Sequence, residues 1–322
     1  MRARTLGKTG IKVGEVGFGA WAIGGPAELG GLAVGWGEVD DRDSIRALEA
    51  AFDEGINFYD TADVYGMGHS EELLARVFGK RRAQVVIATK GGNFNDEAGQ
   101  WQKSFTGPFL AGKVEESLRR LRSDYIDLYQ LHTPRTDEEY RQALGSAETL
   151  DRLVEQGKLR AYGLSIGPVE HGLRQIGDGF GATIQVVYNA LENALERGPE
   201  EKLLPAAKEA NYGVIPRVPL ASGFLTGKYT DDARFDKRDH RSRLTAEQKK
   251  DWVEKVNRLK PIAKELGLTM TQLALQYILA SDAVSVVIPG ARSADQARQN
   301  AAVGKLPPLS EAAVKRIRQA VE

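Results

Sequence analysis

The sequence predicts an α/β fold, a (β/α)8 TIM barrel with an N-terminal β-hairpin. Three observations predict it: eight short apolar runs alternate with amphipathic segments, polar residues of distinct chemistry end consecutive runs, and 322 residues suit one barrel with insertions.

The first element is a hairpin over Arg2–Val13, turning at Lys8-Thr9-Gly10 and closing one end of the barrel. The runs that follow, at Glu15–Gly19, Asn57–Asp60, Gln84–Thr89, Ile126–Leu131, Ala161–Ser165, Ile184–Val187, Gly213–Pro216 and Ser285–Ile288, have the length and β-branched content of buried parallel strands. Helical periodicity occupies Ser44–Glu54, His69–Phe78, Pro108–Arg122, Asp137–Gln156, Pro199–Ala210 and Met270–Leu279, with a weak helical signal between runs five and six. No linker or low-complexity run interrupts the pattern, so residues 1–322 read as a single domain. A doubly wound sheet shares the alternation. It needs a glycine-rich turn that opens a helix, whereas Gly17-Phe18-Gly19 leads into Ala20-Trp21-Ala22-Ile23-Gly24-Gly25-Pro26, which is no helix start.

Composition narrows the chemistry. Lys and Arg total 44, as do Asp and Glu, so no net field draws the chain to nucleic acid or to an anionic membrane, and a small-molecule partner is expected. Without cysteine there are no disulfides, thiolate nucleophiles or Cys-ligated metals, and the four histidines show no ligand spacing. Charges and glycines break the N-terminal apolar stretches before a signal-peptide core forms, and the chain reads as cytoplasmic.

Barrel enzymes place their chemistry at the C-terminal ends of the strands. There the second run ends in Asp60, with Tyr65 in the following loop, and Lys90 and His132 come directly after the third and the fourth. Singly, each has an ordinary reading: a turn cap, a packed ring, a solvated ammonium, a satisfied imidazole. Together they form a proton-donating group. A phenol titrates near ~10, and an adjacent ammonium favours the phenolate, which strengthens the acid. Asp60 then orients and balances Lys90, while His132 adds a hydrogen bond to a substrate oxygen that gains negative charge.

These residues lie in GINFYDTADVYGMGHSE (Gly55–Glu71), IATK (Ile87–Lys90) and DLYQLH (Asp127–His132), followed in order by GLSIG (Gly163–Gly167), PLASGFLTGK (Pro219–Lys228) and VIPGARSADQARQN (Val287–Asn300). Over nearly the whole chain the sequence resembles the aldo-keto reductases, and its long first loop and Arg-Val-Pro-Leu segment resemble the bacterial branch that is also similar to potassium-channel β subunits. The resemblance implies a barrel that reduces aldehydes and ketones by hydride transfer from NADP(H), with Asp60, Tyr65, Lys90 and His132 as the catalytic tetrad.

For the cofactor, the resemblance implies contacts from Ala20 and Trp21, from Ser165 and Gln185 to the nicotinamide carboxamide, and from Arg217 at the position that stacks on the ring. The loop Pro219–Lys228, with Leu220, Ser222, Gly223 and Lys228, suits a pyrophosphate approached by backbone N–H groups. Gly290, Arg292, Gln296 and Asn300, around a helix start, fall where relatives hold the 2′-phosphate and adenine. Ile166, Arg217, Gly290 and Gln296 depart from the commoner asparagine, aromatic residue, lysine and arginine, so phosphate selection falls chiefly on Arg292, with Lys228 or the mobile-looking stretch 234–243 as the alternative. Trp21, Phe94, Trp101 and Phe105 are expected to line an apolar mouth. Two other functions compete: a nucleotide sensor, in which the channel subunits carry asparagine at the position of His132, and a phosphate-handling barrel isomerase or lyase.

Overall fold

The computed structural model describes residues 1–192 and 198–322. Strands β1 (Ala3–Thr5) and β2 (Lys12–Gly14) pair antiparallel as the expected hairpin. Strand β3 (Phe18–Gly19) begins the barrel, and β4 (Glu28–Leu29) and β5 (Leu32–Ala33) form a small ribbon in the loop after it. The barrel continues through β6 (Phe58–Asp60) and β7 (Val86–Gly91); β8 (Asn93–Asn95) and β9 (Trp101–Lys103) make a second loop ribbon. Then come β10 (Leu128–His132), β11 (Tyr162–Ser165), β12 (Thr183–Val187) and β13 (Gly213–Arg217).

The seven barrel strands are parallel in the order β13-β12-β11-β10-β7-β6-β3. The eighth run closes them. It bridges one edge through Val214–Val284 and the other through Val16–Val287 and Gly19–Gly290, with Ser285 N donating to Val214 O at 2.9 Å and Gly17 N to Val287 O at 2.8 Å.

The side-chain period of two sorts the strands into faces. Phe58, Val86, Ala88, Leu128, Ile215, Val286 and Ile288 fill the barrel interior, and Leu6, Ile11 and Val13 of the hairpin seal its floor. Alternate residues such as Tyr59, Ile87, Tyr129, Leu164, Ile184 and Val214 face the helices in the larger core. Continuing the interior register upward gives Asp60 after Phe58, Lys90 after Ala88, Gln130 and His132 after Leu128, and Arg217 after Ile215. The apolar stacking of the barrel is thus what delivers these groups to one rim.

Among the expected helices, Asp137–Gln156 is two: Asp137–Gly145 and Ala147–Glu155. The break falls at Ser146, whose hydroxyl donates to Ala143 O at 2.6 Å and so competes for the helical carbonyls. The weak signal between β11 and β12 is a nine-residue helix, Val169–Gly177. Helices Ala246–Glu265 and Glu311–Val321 carry no sequence expectation. No helix among the described residues is long and apolar enough to cross a membrane.

Candidate active site

Strand register builds the site. Gly19 pairs with Asp60, Lys90 with Gln130, His132 with Ser165, Ser165 with Gln185, and Val187 with Arg217, so the polar groups run round the C-terminal rim. Of these, Gly19, Asp60, His132, Gln185 and Arg217 border a cavity of about 1030 Å³.

Lys90 is fully buried; its Nζ lies 2.6 Å from Asp60 Oδ1, donates to Thr61 O at 2.8 Å and reaches the Tyr65 hydroxyl at 3.2 Å. Asp60 Oδ2 accepts from Gln185 Nε2 at 2.7 Å and from Gln130 Nε2 at 3.2 Å. Tyr65 is set by a close approach of two loops. A Cβ on Gly66, at φ 60°, would sit 1.8 Å from Gly24 O, and one on Gly24 would sit 2.8 Å from the Tyr65 carbonyl carbon. The Tyr65 ring stacks on Trp21 at 5.9 Å and meets His132 edge-on at 5.9 Å. Asn93 Nδ2 donates to His132 O at 3.0 Å, and Asn93 Oδ1 accepts from Trp101 Nε1 at 2.9 Å.

The electrostatics differ in one respect from the sequence expectation. Burial pushes the Tyr65 hydroxyl above its usual range; Lys90 opposes that push, and Asp60 adds to it. The ammonium therefore restrains the phenol's pKa without lowering it overall. Burial pulls Lys90 down, yet the Asp60 carboxylate and Tyr65 more than offset this and raise it. His132 is held well below its ordinary value by burial, then by Lys90, Arg217, Lys103 and Arg135, so it is neutral near pH 7. Its Nδ1 is buried without a partner. Behind this network, burial and Glu71 push the Asp63 carboxyl up to about 8.

Strain accompanies the strand ends. Thr133, directly after His132, has φ 65°, and Val218, directly after Arg217, has φ 55°. Left-handed backbone at β-branched residues costs about 1–3 kcal/mol each. Ala221 (φ 45°), Ser222 (φ 54°) and Gly223 (φ 94°) extend the irregular backbone along the cavity-lining loop after β13.

The expected cofactor residues Trp21, Gln185, Arg217, Pro219, Leu220, Ser222, Gly223, Lys228, Gly290, Arg292, Gln296 and Asn300 all line the cavity. Two do not. Ala20 is fully buried and its carbonyl accepts from Ser70 Oγ at 3.0 Å; Ser165 is buried, with Oγ 3.5 Å from Thr133 Oγ1. A nicotinamide nucleotide fits the donor set: Gln185 Oε1 is a buried acceptor without a partner, aligned beside Asp60, and Lys228, Arg243 and Arg292 supply positive charge. Arg217 Nη2 donates to Ile166 O at 3.2 Å, while its Nε is buried without a partner. Arg292 Nη2 donates to Glu38 O, and its backbone N–H to Gln296 Oε1 at 2.8 Å. Asn300 Nδ2 donates to Gly290 O at 3.2 Å, fixing the approach to helix Ala294–Ala302.

On the substrate side, Trp21 and Trp101 line the cavity as expected. Phe94 and Phe105 do not: Phe94 packs on Phe109 at 4.9 Å, and Phe105 is fully buried in the core. Leu29, Val34 and Trp36 from the first loop take that role. The stretch expected to be mobile is fastened across the cavity. Asp239 bridges to Trp36, the His240 ring lies 4.3 Å from Trp21 and 4.5 Å from Trp36, and Arg241 is spent on Asp239 at 2.6 Å. Gln130 and Asn93 were missed by the sequence reading. The first was detectable from its two-residue spacing to His132; the second depends on a loop ribbon.

Comparison with known proteins identifies the family. The model of the Aldo/keto reductase family matches residues 15–322. The chain is 34% identical to the aldo-keto reductase YhdN of Bacillus subtilis over 92% of this chain and 86% of that one. It is 30% identical to a probable voltage-gated potassium channel subunit beta of Arabidopsis thaliana, covering 100% of this chain and 97% of the relative. The structure of a glycerol dehydrogenase from Gluconobacter oxydans superposes with a TM-score of 0.80 at 32% identity, covering 96% and 92% of the two chains.

Proposed function

The chain belongs to the aldo/keto reductase family of oxidoreductases, and from that premise we propose that it reduces an aldehyde or ketone to an alcohol with NADPH, using Tyr65 as general acid. One observation carries the reading: the Tyr65 hydroxyl at the cavity wall lies 3.2 Å from an ammonium that is itself 2.6 Å from a buried carboxylate.

Reduced nicotinamide, when bound, supplies the hydride. Gln185, which already donates to Asp60, offers Oε1 to the carboxamide. Tyr65 donates its proton to the substrate oxygen, and Lys90 stabilises the phenolate left behind, in a dry site where that interaction is strong. Asp60 holds Lys90 in place with both of its oxygens occupied. Neutral His132, as the Nε2–H tautomer, gives the second hydrogen bond to the developing alkoxide. Arg292, with Lys228 and Arg243 on the same cavity, favours the 2′-phosphate of NADPH over the hydroxyl of NADH. The whole chain acts as one unit, and the absence of cysteine suits a reducing compartment such as the cytoplasm.

Titrating the purified protein with NADPH by fluorescence, then following NADPH consumption across a carbonyl panel, tests the reading. Tight NADPH binding with turnover supports it. Binding without turnover of any carbonyl favours a nucleotide sensor, and no binding favours a different barrel chemistry.

A further inference from the structure

Apart from Arg241, which is paired with Asp239, the cations of the cavity fall into two groups. Lys228, Arg243 and Arg292 line it and are accounted for, on the proposed function, by the phosphates of the cofactor. The other group bears on the tetrad itself. After burial, the largest charge effects on His132 come from Lys90, Arg217, Lys103 and Arg135, all of the same sign. Of these, Lys90 is neutralised by Asp60, the one carboxylate among the described cavity-lining residues.

Arg135 is the unexplained member. It follows the strained Thr133 at the end of β10, and it lines the cavity and is exposed. Its stem runs over Gly167, where a Cβ would lie 3.6 Å from Arg135 Cγ. From Arg135, Glu139 accepts the backbone N–H alone, at 2.6 Å. Among the described residues the Arg135 guanidinium has no hydrogen bond, ion pair or ring contact. Beside it, Lys103 donates to Thr133 O at 2.7 Å and lies 3.5 Å from Glu139, which leaves donor capacity on its ammonium. Arg217 adds a third positive charge, with its Nε buried and unpartnered. Glu139 stands by Lys103, and Glu192 and Asp60 act on Arg217, so Arg135 is the member of this group without an acidic partner. Like charges gathered beside a reaction centre repel one another, and an anion bound at Arg135 relieves that repulsion.

We infer that the carbonyl substrate is an anion, carrying a carboxylate or a phosphate ester that Arg135 binds with Lys103 in support. This rests on the reductase reading and names its substrate class. It adds a charged group to the ligand that an apolar mouth alone would suit. The planar guanidinium fits either group through two parallel N–H donors, and the aromatic wall of Trp21 and Trp101 holds the remainder of the molecule.

Matched substrates test it, with NADPH saturating. Benzaldehyde is compared with 4-carboxybenzaldehyde, and glyceraldehyde with its 3-phosphate, in the unmodified enzyme, in Arg135→Ala and in Arg135→Lys. The expected result is a kcat/KM at least about tenfold higher for a charged member than for its neutral partner, the scale of one charge-assisted hydrogen bond, and shrinking as salt is raised. Arg135→Ala should cut that charged-to-neutral ratio by about tenfold and Arg135→Lys by less; the ratio between enzymes cancels intrinsic differences in carbonyl reactivity. A response in only one pair identifies carboxylate or phosphate as the group. Equal ratios in all three enzymes, or neutral members turned over as well as charged ones, overturn the inference while leaving the reductase standing. Failure to reduce any of the four aldehydes with NADPH or NADH overturns both.

Discussion

Lys90→Met tests the coupling of the site to the stability of the barrel. The substitution keeps the volume and removes the charge, leaving Asp60 as a buried carboxylate. Breaking a buried ion pair by deleting one partner costs about 3–5 kcal/mol. Asp60 retains its bonds from Gln185 at 2.7 Å and Gln130 at 3.2 Å, which places the expected loss near the lower end, about 3 kcal/mol. Equilibrium urea unfolding followed by tryptophan fluorescence measures it. The pKa of Lys90 is raised in the fold, so the stability it contributes is fully present below its unfolded value and is lost only as pH rises through the higher folded value. The deficit of the variant should therefore hold steady between about pH 7 and 9. Activity falls for a related reason: without the ammonium, burial and Asp60 make Tyr65 a weaker acid against the lesser opposition of Arg217, so reduction should drop about a hundredfold or more. A deficit under about 1 kcal/mol, or an unchanged pH profile of turnover, would refute the coupling.

Further outcomes follow from the same geometry. Arg292→Ala should weaken NADPH by about 1.5–3 kcal/mol and NADH far less, read by fluorescence titration at fixed salt; equal weakening of both moves 2′-phosphate recognition to Lys228 or Arg243. Asp63 is protonated in the fold up to about 8 and ionised in the unfolded chain above ~4, so the unmodified protein loses stability as pH rises through that window. Asp63→Asn should gain on it progressively from about pH 4 to 8, and parallel stability curves would remove Asp63 from the account. Because His132 stays neutral through the ordinary assay range, His132→Gln should lower kcat without deleting an acidic limb near pH 6.5; loss of such a limb would show that His132 titrates during turnover.

How far the sequence could be read depended on the range of the interactions involved. Asp60, Lys90 and His132 were legible because each extends the two-residue interior register set by Phe58, Ala88 and Leu128, which is local information. Gln130 lies on that register but reads as a polar residue within an apolar run, and its bond to Asp60 spans two strands. Helix Ala246–Glu265 was hidden by its highly charged composition and an internal Pro261, although its Thr245–Gln248 capping box was available as a start signal. Phe94 and Phe105 were placed by hydrophobicity alone, which does not distinguish a pocket wall from a core. The strap that sets His240 between Trp21 and Trp36 joins segments some two hundred residues apart, beyond any periodicity. The strain at Thr133 and Val218 was equally invisible, since β-branched residues give no signal for left-handed backbone.

On the proposed function the Tyr65 hydroxyl delivers the proton, and Tyr65→Phe removes that one atom. The ring keeps its stack on Trp21 and its edge contact with His132, so the cavity wall is preserved. Single-turnover reduction under saturating NADPH, alongside a fluorescence titration of NADPH, separates chemistry from binding. The expected result is a reduction rate lowered by about 10²–10⁴-fold with NADPH affinity nearly unchanged. More than about a tenth of the original rate, or a loss of affinity parallel to the loss of rate, would contradict it.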